Sequence, residues 1–443
     1  MEKVENLIPQ ESETIAAKRA IRLSEKLRRA GEGLKGRNAW WSDGPLELLG
    51  LAFIFSLNFY LVVTFFGTSA PDIPYSGPVI PLFAKMVEFA GVPFSYAVQI
   101  VNAVFYLFFP LTYYMFVKKV TGRKLISLLV VLFASLPLYP FALVRAAGAF
   151  IGGDGPHMAS LTLVPLAIYG LLGFIREGGM RNLIIASVSS GIIALISPFG
   201  FLTFALFAGI TAFSEMLLGT GRLKVIRLLL VLIFAGALNS FWYNPAFFYW
   251  MITGPMGEDI RVTVSRLIPT SFFIIPILAA FGFLLFDRRP SLQPVFLASF
   301  FTIAFFLIVI AGGGLFPSHP SRYSAEFGIA LSFLLGVGIV KFAEFLKFSD
   351  HKIFGKINAT IFANALIVFV FVILVLGVIL GRESVVLAEE KVLGIWTGFD
   401  KGELWTSREN FDGTPSFFGY SITGSAILTL AFLGIKSRQG VAH

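Results

Sequence analysis

Runs of about 20 apolar residues recur along the chain from Leu46 to Phe432. A run of that length has one stable setting: a helix crossing a hydrocarbon core about 30 Å thick, in which every backbone amide finds its partner inside the segment. Twelve such runs are read, at residues 46–66, 94–117, 125–144, 158–175, 183–196, 199–218, 225–243, 267–286, 293–311, 327–343, 358–380 and 420–435. The alternating ten-residue strands of a membrane barrel do not occur. The expected fold is therefore all-α, a polytopic transmembrane helix bundle of about 12 spans, with the short fifth run either crossing or re-entrant. Composition agrees: mean hydropathy is +0.81 and charged residues make up 14% of the chain, outside the range of soluble domains. With no cysteine, thiolate catalysis, thiolate metal sites and disulfides are excluded.

Lysine and arginine orient the runs. With the N-terminus inside, 26 of the 35 basic residues fall on the cytoplasmic side, whereas the opposite face carries nine bases against 13 acids. The alternation holds through every loop, so the expected setting is the cell membrane, multi-pass, with both termini cytoplasmic. Many charges precede the first apolar run, so no cleavable signal peptide is expected and residues 46–66 read as the first insertion signal. The organisation that follows is a basic cytoplasmic tail (1–44), a transmembrane core (45–380), an extracytoplasmic loop (381–419) and a last span with a cytoplasmic end (420–443). Within the tail, Ala16, Ala20, Leu23, Leu27, Ala30 and Leu34 lie at helical spacing among lysines and arginines. That stripe is either an amphipathic helix on the anionic inner surface or a solvated arm. A basic tail is what topology demands, so membrane lipids are the expected partners and nucleic acid is not.

The chemistry-bearing residues gather on the outer face. Asp72 stands between prolines in TSAPDIPYSGP (68–78), Arg145 precedes IGGDGPH (151–157) with its Asp154 and His157, and AGGGLFPSHPSRYSAE (311–326) supplies His319, Arg322 and Glu326. Carboxylates and an imidazole can hold a divalent cation such as Mg2+ or Mn2+, or take a proton from a hydroxyl. Asp154 and His157 are the candidate metal ligands, with a glycine-rich turn as the alternative reading. Asp72 is a candidate catalytic acid or a turn former. Guanidinium groups suit phosphate, so Arg322 and Arg145, beside His319, are candidate substrate contacts; span-end arginines also snorkel to lipid headgroups. Trp242 and Tyr243 lie in NSFWYNPAFFYWM (239–251), which reads as an interfacial aromatic belt or as a groove for a lipid tail.

Three stretches, PDIPYSGPVIPL, then GDGPHMASLTLVPLAIYGLL with the later ALISPFGF, then NSFWYNPAFF with SRYSAEFGIALSFLLGVGI, resemble the glycosyltransferase C (GT-C) superfamily. More narrowly, they are similar to the membrane proteins labelled 6-pyruvoyl-tetrahydropterin synthase-related. The resemblance covers roughly residues 46–345 and implies a GT-C-like fold and sugar transfer from a polyprenyl-phosphate donor on the outer face. It assigns the base or metal-ligand role to Asp72, second-loop site roles to Asp154 and His157, and the donor phosphate to Arg322. The paired acids of many members are here the single Asp72, and their soluble C-terminal domain is replaced by the loop Gly381–Gly419 and one span.

Three functions are consistent with these observations: a lipid-linked-sugar glycosyltransferase of the outer face, a transporter or flippase of lipid-linked or small anionic substrates, and a non-catalytic scaffold of the same fold. The transporter reading calls for ionisable groups within the spans.

Overall fold

The computed structural model describes residues 44–67, 77–217, 221–243, 292–310, 320–348 and 417–439, with the single positions 365, 368, 369 and 372. By its contacts the chain divides into two compact units, residues 1–50 and 51–443. Of the first, residues 44–50 are described and form the start of a helix; the account below concerns the second. The tail stripe, the runs at 267–286 and 358–380 and the loop 381–416 lie outside the described residues, apart from those four single positions.

All the regular structure among the described residues is helical. Twelve α-helices occur there: α1 (Gly44–Phe65), α2 (Val79–Glu88), α3 (Phe94–Thr121), α4 (Lys124–Ala134), α5 (Ala142–Phe150), α6 (Gly155–Glu177), α7 (Met180–Ile196), α8 (Pro198–Leu217), α9 (Gly221–Asn239), α10 (Gln293–Ile310), α11 (Ser324–Phe348) and α12 (Phe417–Gln439). A 3-10 turn, Pro320–Tyr323, leads into α11. Seven of the twelve, α1, α3, α6, α8, α10, α11 and α12, are long and apolar enough to cross a bilayer. The protein is an integral membrane protein, a bundle of apolar helices.

Helix α6 is the axis of the bundle, with 83% of its apolar window buried against α3, α7 and α8. Among the seven long apolar helices described, α12 is the least buried, with 22% of its window covered and Leu428 and Phe432 exposed, as a helix facing acyl chains is. The short fifth run forms the seventh helix, Met180–Ile196. It leaves the Gly178–Gly179 turn at one end of α6 and runs back along α6 to Ile196 at the other.

The apolar run at 125–144 is not one helix, contrary to the reading of a single span. Helix α4 stops at Ala134, the chain turns through residues 135–141 with a cis Tyr139–Pro140 bond, and α5 restarts at Ala142. Pro137 and Pro140 lack the amide hydrogen a helix needs, and each biases its preceding residue away from helical geometry. Hydropathy counts these residues as apolar and is blind to that break. At 1.5 Å per residue, the 11 residues of α4 rise about 16 Å, half a hydrocarbon core.

Charge sorts to the ends. At one end Arg176 donates to Glu215 Oε1 at 2.8 Å and to Gln293 at 3.0 Å, Lys119 pairs with Glu177 at 2.6 Å, and Arg227 donates to the carbonyl of Ile175 at 2.8 Å. Arg123 and Lys341 both pair with Glu344, and Lys224 reaches the Glu215 carbonyl. This basic end gathers the C-termini of α3, α6, α8 and α11 with the starts of α4, α9 and α10. The N-termini of α6, α8 and α11 meet at the other end.

Candidate functional site at the converging helix starts

Helix α5 closes with the amide of Gly152 donating to Ala147 O and that of Asp154 to Gly148 O, a return that places Gly153 at φ +68, where a side chain would be strained. The run IGGDGPH is therefore a turn, as glycine chemistry indicates, and it delivers Asp154 to the N-cap of α6 with His157 in the first turn. The α7–α8 corner is built by SPFG: extended Ser197 accepts the Gly200 amide at its hydroxyl at 3.3 Å, and Pro198 takes the first helical position. Gly200 then lets α8 reach α6, since a Cβ there would lie 1.9 Å from Ser160 Oγ. Helix α11 enters through the turn carrying Arg322 and places Glu326 in its first turn.

These three starts bring together residues distant in sequence. Arg322 Nε and Nη2 donate to the two carboxylate oxygens of Asp154 at 2.8 and 2.5 Å, the bidentate fork that suits a planar guanidinium. The ring of Phe199 lies 4.2 Å from the guanidinium carbon. One turn on, His157 Nε2 lies 2.8 Å from Glu326 Oε1, and Thr203 Oγ1 of α8 donates to the same oxygen at 2.9 Å. Tyr323 presents its ring edge-on to the imidazole, 6.4 Å between centroids. Exposure is 7% for Asp154, 1% for Arg322 and 0% for both His157 and Glu326, so four ionisable side chains are sealed inside the bundle. The positive ends of α6, α8 and α11 favour the carboxylate charges there.

Two buried atoms of this cluster have no hydrogen-bond partner among the described residues: His157 Nδ1 and Glu326 Oε2. Asn102 of α3, packed on Gly155, likewise leaves its amide oxygen and nitrogen unpartnered. The cost of burying such an atom unpaired is about 1–3 kcal/mol.

The remaining sequence candidates are placed apart from this cluster or outside the described residues. Arg145 is 2% exposed, and its guanidinium lies over the ring of Phe109 at 3.7 Å and that of Tyr106 at 5.0 Å while Nη2 donates to Ala134 O at 3.1 Å. Ala134 is the last residue of α4, so Arg145 caps the negative end of the broken helix rather than standing beside Arg322. Tyr243 follows α9 and donates its hydroxyl to Ala194 O of α7 at 2.8 Å; neighbouring Trp242 donates its amide to Asn239 O at 2.9 Å. Asp72 and His319 lie outside the described residues, although their flanks reach this end of the bundle. Gly77 donates its amide to Ile196 O at 3.0 Å, and Pro320 opens the turn that bears Arg322.

Asp154 and His157, the candidate metal ligands, each face another partner within the described residues. Both carboxylate oxygens are occupied by Arg322, the imidazole faces Glu326, and among the described residues no group of three or more histidines and acids is arranged to hold a metal ion.

Sequence reading named Glu326 on the outer face but gave it no role, and omitted Thr203 and Phe199. Glu326 carried a usable signal, a carboxylate inside the apolar stretch SRYSAEFGIALSF that opens a span. Thr203 and Phe199 carried none, being ordinary residues of an apolar helix. Compared with models of known protein families, with curated proteins and with solved structures, the chain matches none.

Proposed function

We propose that the protein is a polyprenyl-phosphate-dependent glycosyltransferase with a GT-C-like fold, working on the outer face of the membrane. One observation carries the reading: Asp154, Arg322, His157 and Glu326 converge at the end of the bundle remote from the basic belt. The positive-inside rule assigns that end to the outside. In this reading Arg322 receives the donor phosphate. Asp154 keeps the guanidinium extended until a phosphate, which accepts the same bidentate fork, takes its place. As the sugar–phosphate bond breaks, charge grows on the departing lipid phosphate, and Arg322 with the three helix starts stabilises it. Asp72 is the acid the family resemblance assigns to the acceptor side. Arg145 has no part in it, being committed to the end of α4.

Transfer of radiolabelled sugar from a polyprenyl-phosphate donor, measured in membranes carrying wild type or Arg322→Lys, tests the proposal. The lysine keeps the charge and loses the fork, and a fall of about tenfold or more in transfer is expected. Equal transfer by both proteins would remove Arg322 from the chemistry.

A carrier of lipid-linked or anionic substrates is the second reading, favoured by the complete burial of His157 and Glu326 between three membrane helices. It predicts uptake into proteoliposomes with no lipid-linked sugar present.

A further inference from the structure

We propose that His157 is a proton acceptor working through Nδ1, with Glu326 as its positioning residue; as a step in sugar transfer this rests on the reading above. A neutral imidazole has one nitrogen that donates and one that accepts. Oε1 of Glu326 already takes the Thr203 hydroxyl and faces Nε2 at 2.8 Å, so Nε2 carries the hydrogen and Nδ1 keeps its lone pair. That lone pair is fully buried and has no partner among the described residues. An acid that fixes the tautomer of a histidine and leaves the other nitrogen open is the arrangement by which an imidazole is prepared to take a proton from a hydroxyl.

The balance is simple. The acceptor hydroxyl loses its proton to Nδ1 as its oxygen bonds the anomeric carbon. The bond from that carbon to the phosphate oxygen breaks, and its electron pair leaves with the lipid phosphate. The imidazolium so formed lies against the Glu326 carboxylate, which compensates its charge where water is excluded. No other side chain of the cluster is as well suited. The Asp154 carboxylate is held by Arg322, and Thr203 is spent on Glu326. Among the described residues the imidazole faces Glu326 of α11 and Tyr323 of its entry turn, and the other charged groups of the cluster, Arg322 and Asp154, pair with each other. The facing turn of α8 presents Thr203 and Phe199, neither titratable at these pH values. One turn beyond Glu326 on α11, the phenol of Tyr113 of α3 donates to the carbonyl of Ile329 at 2.7 Å. Proton removal is thereby assigned to His157 in place of the acid of the first outer loop.

Two measurements on the full chain in lipid vesicles decide it. The sequence holds four histidines. In 15N-histidine-labelled protein the resonances lost in His157→Gln identify the ring, and its nitrogen shifts report the tautomer. The expected result is a bare Nδ1 and a protonated Nε2 near neutral pH, with Nδ1 taking a proton on acidification. In Glu326→Gln, whose amide can donate as well as accept, the hydrogen should no longer be fixed on Nε2 and a protonated Nδ1 should appear. Hydrogen on Nδ1 of the wild-type ring at neutral pH would overturn the proposal.

In the transfer assay, wild-type rate should fall on the acid side, since a proton acceptor works only while it is unprotonated. His157→Gln should lose about 10²–10⁴-fold in transfer while still retaining labelled donor on filters. An active wild type whose His157→Gln keeps both rate and acid limb would also overturn it. A wild type that neither binds nor transfers the donor defeats the glycosyltransferase reading instead, and the nitrogen shifts then decide the proton site alone.

Discussion

A carboxylate and a guanidinium taken out of water lose hydration worth several kcal/mol each, and only close, well-directed contact restores it. Asp154 and Arg322 meet that condition with both oxygens bonded, and removing either partner leaves a bare charge among apolar helices. Asp154→Asn and Arg322→Gln are each expected to destabilise the protein by about 3–5 kcal/mol, measured by denaturant unfolding in detergent. The double variant should lose less than the two single losses added together, because neither charge is then stranded. Additive losses would mean that the two groups do not act as a pair. At this scale the sequence was legible in part. Asp154, His157 and Arg322 stand out because charged residues are rare in so apolar a chain. The identity of their partners was hidden, since Asp154 and Arg322 lie 168 positions apart and His157 and Glu326 lie 169 apart.

The helices show what periodicity and hydropathy capture and what they pass over. The corners at 151–154, 178–179 and 197–198 were readable from glycine, serine and proline, whose backbone demands are local. The break at 135–141 lay within an apolar run and was passed over, although its prolines marked it. Helix α11 is fitted to that break: a Cβ on Gly328 would lie 2.0 Å from the carbonyl oxygen of Pro140, whereas one on exposed Gly338 would meet nothing within 4 Å. Gly328→Ala is therefore expected to cost about 1–3 kcal/mol, the scale of overpacking. Gly338→Ala should leave stability unchanged or raise it by about 0.5–1 kcal/mol, the helix preference for alanine. Thermal unfolding of the two variants side by side checks this, and equal effects would show that α11 is not pressed against the break.

For the molecule as a whole, the separation of a basic belt from the cluster of helix starts predicts sidedness. The chain has no cysteine, so single cysteines report without background. Glu88 on α2 and Glu177 at the end of α6 have side chains 37% and 59% exposed and stand at opposite ends. Glu88→Cys should react with a membrane-impermeant maleimide on intact cells, and Glu177→Cys only after the membrane is opened; the reverse pattern would invert the orientation. That the chain is a helical membrane protein followed from the sequence by itself, because the length of an apolar run and the need to satisfy backbone amides in lipid are local properties. The gathering of 26 of the 35 basic residues on one side was equally countable along the chain. Which charges meet was decided by the tertiary structure alone. Helix starts up to 169 residues apart were brought to one end of the bundle, Arg145 was set against the end of α4, and Glu326 was set against His157. The physical reason is that a buried charge takes whichever partner the packing of the helices brings within reach, and no interval along the chain encodes that distance.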